Sequence, residues 1–414
     1  MSSVFRHIKE SRYAITFILL IPFVPVLAES IIISLNDISS YYQLYYFIGY
    51  DYGFGGRKLL GTIFSPFLPN YVGHRQLLPI IWGINLIFLV LFVSFLSKNI
   101  KRANEMGISW GVIPVIAFWL VSPFSILKYL NHGINLMFPE IWSMVLSMSF
   151  LYLYKSAHNR WWYYVLALLY CVIGCLIHHV FCCLFFPLFL AVFANDTLSS
   201  NKAECRKKIM KYGIICLILT ITFLAIWLFS NMNTDVESVY DTICHRTAPG
   251  VCTHDKEALI QMYYLSNIDN VINQAGNFHI RFIELILTIF ALSPLIVILI
   301  VPWILAIKNS PETKSKWKYL LVVAIPTIIH APIYFFAVDY GRWEYAWFFN
   351  YVCLLLFFVW TDDAGIIEAM RKMGKWNLNH PIFVLFTLLY LAVLPASNAW
   401  DISFIHQLAG AIIR

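Results

Sequence analysis

Long apolar stretches alternate with short polar, mostly basic segments along nearly the whole chain. A helix needs roughly 20 apolar residues to cross about 30 Å of hydrocarbon. Eleven stretches have about that length: 13–35, 77–97, 109–127, 137–154, 161–177, 179–195, 212–230, 281–305, 319–337, 345–361 and 381–398. The pattern predicts an all-α, polytopic membrane helix bundle of about 11 transmembrane helices. The fifth and sixth stretches are halves of one apolar run divided at His178-His179, and each is short for a span. The first is too long for the apolar core of a secretory leader and lacks a small-residue cleavage site, so it predicts a spanning helix.

Composition agrees with the pattern. The chain of 414 residues is 60% hydrophobic and 12% charged, against about a quarter charged in soluble domains. Aromatics reach 17%, an excess that suits a chain with many membrane interfaces.

Charge then orients the bundle. With the N-terminus inside, segments 1–12, 98–108, 155–160, 196–211, 306–318 and 362–380 are cytoplasmic and hold 20 of the 29 Lys and Arg residues. The outer loops are longer yet carry fewer cations, which is the bias expected of outer loops. Two of them are large, 36–76 and 231–280, and the C-terminus falls outside. Without internal repeats or a flexible linker, 1–414 is expected to be a single integral membrane domain of an inner, cytoplasmic membrane, with loops in the periplasm.

On this topology the polar residues that punctuate the apolar sequence converge on the outer side. Asp51, Arg57 and Lys58 lie in the first outer loop, within YDYGFGGRKLLG. His132 and Glu140 (in NHGINLMFPE) lie at the second, His178 and His179 at the third, and His330, Asp339, Arg342 and Glu344 at the fifth. Charge near a membrane span is costly and tends to mark a site. Gly53, Gly55 and Gly56 permit close approach of a ligand to the backbone, and Asp51 is close enough to Arg57 for both to line one pocket. Arg57 offers a planar fork for phosphate oxygens and Lys58 a point charge. The apolar continuation past Leu59, with Pro66 and Pro69, predicts a juxtamembrane segment lying in the interface.

Each of these groups has a plainer alternative. Arg57 and Lys58 could snorkel to lipid head groups while Asp51 caps a helix. Asp339 and Arg342, in VDYGRWEY, could form an anchoring ion pair. Glu140 could serve the dipole of the helix it opens. Side chains of adjacent histidines diverge on a helix, so His178 and His179 are expected to be satisfied polar groups at a turn rather than metal ligands. Cys171, Cys175, Cys182 and Cys183 read as small buried hydrophobes, whereas Cys244 and Cys252 bracket a polar loop and could pair in an oxidising compartment.

The chain has no P-loop, G-x-S-x-G, HExxH or CxxC motif, so nucleotide-driven transport and serine or zinc hydrolysis have no support. An acid soon after the first span, followed by an interfacial segment, resembles the layout of GT-C glycosyltransferases. The DYGFGGRKLLG and DYGRW pair is also similar to polytopic proteins of capsule and O-antigen clusters, including Wzy-type polymerases. The resemblance implies glycosyl transfer on the periplasmic face from a polyprenyl-phosphate- or diphosphate-linked sugar or oligosaccharide. It maps the catalytic acid of the first loop onto Asp51, although the family's acidic pair is not evident because Tyr52 follows.

The expected catalytic carboxylates are Asp51, Glu140 and Asp339, and the expected substrate or phosphate contacts are Arg57, Lys58, Arg342, His132, His178 and His179. No cofactor is required, because the donor is activated on its lipid. A divalent cation is open, through Asp51 with Glu140 or Asp339, and its ligands are unknown. Expected partners are the polyprenyl-linked glycan donor and acceptor and the bilayer, with no nucleic acid. The competing readings are a transporter or flippase for lipid-linked glycans, which would want ionisable residues at mid-span, and a membrane acyltransferase, for which His178, His179 or His330 would serve.

Overall fold

The computed structural model describes residues 21–22, 24–26, 28–29, 32, 43–127, 138–230, 235–248, 278–336, 340–394 and 411. His132, Asp339, Cys252, most of the apolar stretch 13–35 and most of the outer loop 231–280 lie outside the described residues. Within them the fold is all-α, as the pattern predicts, and the strand-like pairing present is an isolated bridge between Val72 and Thr247.

Three 3-10 turns, Leu44–Tyr46, Tyr50–Tyr52 and Ser65–Phe67, flank the short helix α1 (Leu59–Phe64). There follow α2 (His74–Glu105), α3 (Ser109–Val121), α4 (Glu140–Ala157), α5 (Trp161–Ile177), α6 (Phe181–Leu184), α7 (Phe186–Leu198) and α8 (Lys202–Phe229). The rest are α9 (Val236–Arg246), α10 (Phe278–Ala291), α11 (Ser293–Asn309), α12 (Thr313–His330), α13 (Ile333–Phe336), α14 (Tyr340–Trp360), α15 (Ala364–Asn379) and α16 (Pro381–Val393).

The helix α14 is the hub, packing against α2, α7 and α12. Of its most apolar window 89% is buried, against 22% for α8. The α8 helix instead exposes Ile214, Leu217, Ile221, Leu224 and Leu228, an apolar stripe that water would penalise and lipid would not.

The described residues include 3 helices long and apolar enough to cross a membrane, or up to 5 if each bent pair is one span. That is fewer than the eleven stretches suggest: most of 13–35 lies outside the described residues, α3, α5 and α7 are apolar but only 13, 17 and 13 residues long, and two further stretches belong to bent pairs. Pro294 near the start of α11 lacks an N–H and crowds the preceding turn, and α10 and α11 meet at 72°. Pro381 opens α16, and His380 before it leaves the helical region at φ −127°, ψ 54°, as a residue preceding proline tends to. Consequently α15 and α16 are bent by 96°.

Segment 362–380, expected as a basic loop, is helical. In α15 the residues Ile366, Ile367, Met370 and Met373 form a buried face at helical spacing, set against α3 and α11. Asp363 starts this helix by accepting the Ile366 N–H at 3.0 Å.

The loop segments sort themselves into two groups of contacts. In the first, Arg102 Nε donates to Asp362 at 2.5 Å, Lys318 to Asp363 at 2.7 Å, Lys208 to Asp196 at 2.9 Å and Lys314 to the Ser200 carbonyl at 2.6 Å. These are the cationic segments that the charge pattern groups together. In the second, the first loop meets the segment after α8. Val72 N–H donates to the Arg246 carbonyl at 2.9 Å, and Arg246 Nη1 donates to Ser65 Oγ at 3.1 Å.

Candidate functional site

The stretch YDYGFGGRKLLG forms a compact hook. Tyr50 N–H donates to Thr62 Oγ1 at 2.8 Å, which ties the 3-10 turn back onto α1. Gly53 has φ +94°, a conformation that side chains rarely adopt. It lets the turn present its carbonyls inward, where Lys58 Nζ donates to Tyr52 O at 2.9 Å and Gly53 O at 3.0 Å.

Lys58 is therefore fully buried, and its ammonium braces the hook instead of facing open solvent. Burial pulls its pKa down to about 8, partly offset by the charge of Asp51. Asp51 is exposed on the turn. Its charge bears on Lys58, whereas Arg57 bears on His178 and His179, so the acid and the arginine of this loop address different neighbours.

Close approach at Gly56 is real, but the approaching group belongs to the protein. A Cβ there would come within 2.8 Å of His179 Nδ1. The next residue, Arg57, is held at φ +71°, a left-handed conformation that costs a non-glycine residue roughly 1–2 kcal/mol. Such local strain is commonest where a side chain is aimed for function.

His178 and His179 lie against this corner of the hook. On a helix, adjacent histidine rings would diverge, but these two lie at a turn, as expected from the sequence. The chain leaves α5 at His178, which is extended at φ −155°, ψ 112°. The two rings stack at 5.5 Å with 11° between planes, and His178 also stacks on Tyr45 at 6.2 Å. Burial first, then Arg57, His179 and Arg342, hold His178 well below the usual imidazole range, so it is neutral near pH 7 and offers one donor and one acceptor.

Glu140 and Arg342 complete the group. Glu140 opens α4, and Arg342 sits in the first turn of α14. Arg342 Nη2 donates to Glu140 Oε1, and the pair is almost wholly buried, at 9% and 5% side-chain exposure. The guanidinium also lies 4.6 Å from the Phe138 ring centre. Behind Glu140, Trp142 Nε1 donates to the Tyr46 hydroxyl at 3.3 Å.

The buried side-chain atoms without a hydrogen-bond partner among the described residues include Glu140 Oε2, His178 Nδ1 and His179 Nδ1. Buried polar atoms are normally satisfied, so open ones beside strained and charged groups call for a ligand or water.

The structure thus brings Arg57, His178, His179, Glu140 and Arg342 into one neighbourhood, with Asp51 and Lys58 on the same hook. Glu140 is a partner of Arg342, and Asp339 lies outside the described residues. Among the described residues there is no group of 3 or more His, Cys, Asp or Glu placed to hold a metal ion. The aromatic supports Tyr45, Tyr46 and Trp142 carry no motif and are visible only in three dimensions. So is Asp196, at 5% exposure, which accepts from Tyr154 at 2.8 Å, Tyr212 at 2.6 Å and Lys208 at 2.9 Å among the cationic segments. Set beside protein-family models, curated proteins and solved structures, the chain matches none of them.

Proposed function

We propose that this protein transfers a glycosyl group from a polyprenyl-phosphate- or diphosphate-linked sugar or oligosaccharide in surface-polysaccharide synthesis, as a single-sugar transferase or a polymerase of repeat units. In this reading the eleven apolar stretches lie in the bacterial cytoplasmic membrane with the N-terminus inside. The hook and the His178-His179 turn then face the periplasm.

The observation that carries the proposal is the buried Glu140–Arg342 pair beside Arg57 and the two histidines, with polar atoms left open around it. A lipid-linked donor presents its phosphate at membrane-interface depth. There Arg57 and Arg342 stabilise the negative charge that develops as the anomeric carbon–oxygen bond breaks. The acceptor hydroxyl oxygen attacks the anomeric carbon, the polyprenyl phosphate departs with the electron pair, and a carboxylate takes the hydroxyl proton. Asp51 is assigned that proton because it is exposed on the hook, where an acceptor can reach it. Glu140 orients Arg342, and neutral His178 supplies a hydrogen bond to the sugar or phosphate.

The test is complementation of a deletion strain by Asp51→Asn, read on a glycan gel with the membrane level of the protein checked by blot. The proposal expects loss of glycan at normal protein level. A ladder collapsed to one repeat unit indicates a polymerase and a truncated repeat a transferase. A wild-type profile from Asp51→Asn removes Asp51 from the mechanism, and a wild-type profile from the deletion strain itself ends the proposal.

A further inference from the structure

The His178-His179 turn is flanked by two cysteines that its geometry brings together. Cys175 lies in the last turn of α5 and Cys182 in α6, with Cys182 Sγ 3.7 Å from Cys175 Sγ across a separation of 7 residues. The approach is enforced by Gly174, where a Cβ would come within 2.7 Å of the Phe181 ring. With any larger residue the two helix ends would be pushed apart and the thiols with them. Cys175 is buried and Cys182 half-buried, so Cys182 is the more exposed residue of the pair.

We infer that Cys175 and Cys182 are a disulfide site that clamps the His178-His179 turn in the mature protein. Bonded sulfurs lie about 2 Å apart, so closure from 3.7 Å asks for side-chain rotation and little backbone movement. The oxidant is a protein disulfide donor of the extracytoplasmic compartment. The Cys182 thiolate attacks a donor sulfur, forming a mixed disulfide and releasing one donor thiolate. The Cys175 thiolate then attacks Cys182 Sγ and displaces the second donor thiolate. Two protons and two electrons leave this chain, and the donor is reduced to its dithiol. The bond would fix the turn whose rings face Arg57 and whose Nδ1 atoms remain open. This inference rests on the proposed orientation, since a turn facing the cytosol would stay reduced.

The pair can be read directly. No Lys or Arg lies between Arg160 and Lys202, so trypsin releases Cys171, Cys175, Cys182 and Cys183 on one peptide. Cells are acid-quenched, and the denatured full-length protein is alkylated with iodoacetamide before and after dithiothreitol. We expect two alkylations on this peptide before reduction, on Cys171 and Cys183, and four after it. In Cys182→Ser, Cys175 becomes alkylated without reductant. Four alkylations before reduction, or fragment ions that place a label on Cys175 or Cys182, overturn the inference. Labelling of an engineered cysteine at Asn70 by an impermeant maleimide reports orientation separately. Outside labelling with four free thiols sinks the disulfide alone, and inside labelling sinks the orientation and the disulfide with it.

Discussion

Arg342 and Glu140 stand 202 positions apart in sequence and meet as a nearly buried ion pair, joining the start of α14 to the start of α4. Removing one member of such a pair leaves the other charge buried and uncompensated, at a cost of about 3–5 kcal/mol. We therefore expect Arg342→Met or Glu140→Leu alone to lower the thermal midpoint of the detergent-solubilised protein strongly. The double variant Glu140→Leu with Arg342→Met should recover much of the loss and still make no glycan. Additive losses in the double-mutant cycle would show that the two side chains are not coupled.

The strained backbone at Arg57 separates aim from fold. Glycine accepts φ +71° without the Cβ penalty, so Arg57→Gly relieves this backbone strain and should still insert. Glycan output should nevertheless fall at least about tenfold, the effect of about 1.4 kcal/mol of lost transition-state stabilisation. Next to it, Gly56→Ala drives a methyl toward His179 Nδ1 and should reduce output by moving the ring. Unchanged output from both variants would confine this corner of the hook to a structural role.

Much of this arrangement is written locally, and the decisive part is not. The apolar periodicity of Ile366, Ile367, Met370 and Met373 lies in plain view, and so do Pro294, inside the stretch 281–305, and Pro381, at which the stretch 381–398 begins. Counting hydropathy alone passes over both signals, because an average over 20 residues cannot see a bend. The structure places Arg57, the histidines and Arg342 close together, and charge bias with loop order leads one to expect them on one side. The choice of Glu140 as the partner of Arg342 depends on how α4 and α14 pack, and no short-range pattern encodes it. Lys58 shows the same limit. Its cation is evident in the sequence, but the turn at Gly53 that swallows it is a tertiary fact.

Lys58 gives the fold a pH dependence of definite sign. Burial lowers its folded pKa to about 8 from the ordinary 10.5. Between those values the unfolded chain holds the extra proton, so stability rises as pH climbs through that window. Over the full window the effect is at most about 3 kcal/mol. The Lys58→Met variant lacks this term and also loses the bonds to Tyr52 and Gly53. Midpoints measured from pH 7 to 10 should therefore climb more, or fall less, for wild type than for Lys58→Met. Parallel curves would mean that the ammonium is not desolvated in the hook.

Orientation is the prediction on which the proposed chemistry depends most. The first loop and the segment after α8 touch through Val72 and Arg246, while Arg102, Lys208, Lys314 and Lys318 are engaged in the other group of contacts. If cations are retained inside, an exposed position on the first outer loop and one on α15 must report opposite sides. Asn70 and Lys375 are both exposed, so a cysteine at either is accessible without disturbing packing. In intact cells an impermeant maleimide should tag Asn70→Cys at once and Lys375→Cys only after permeabilisation. The reverse order would put Arg57, His178 and Glu140 on the cytosolic side, where nucleotide-activated sugars are at hand and the case for a lipid-linked donor loses its premise. Equal tagging of both positions in intact cells would contradict the alternation of inner and outer loops on which the eleven-span topology is built.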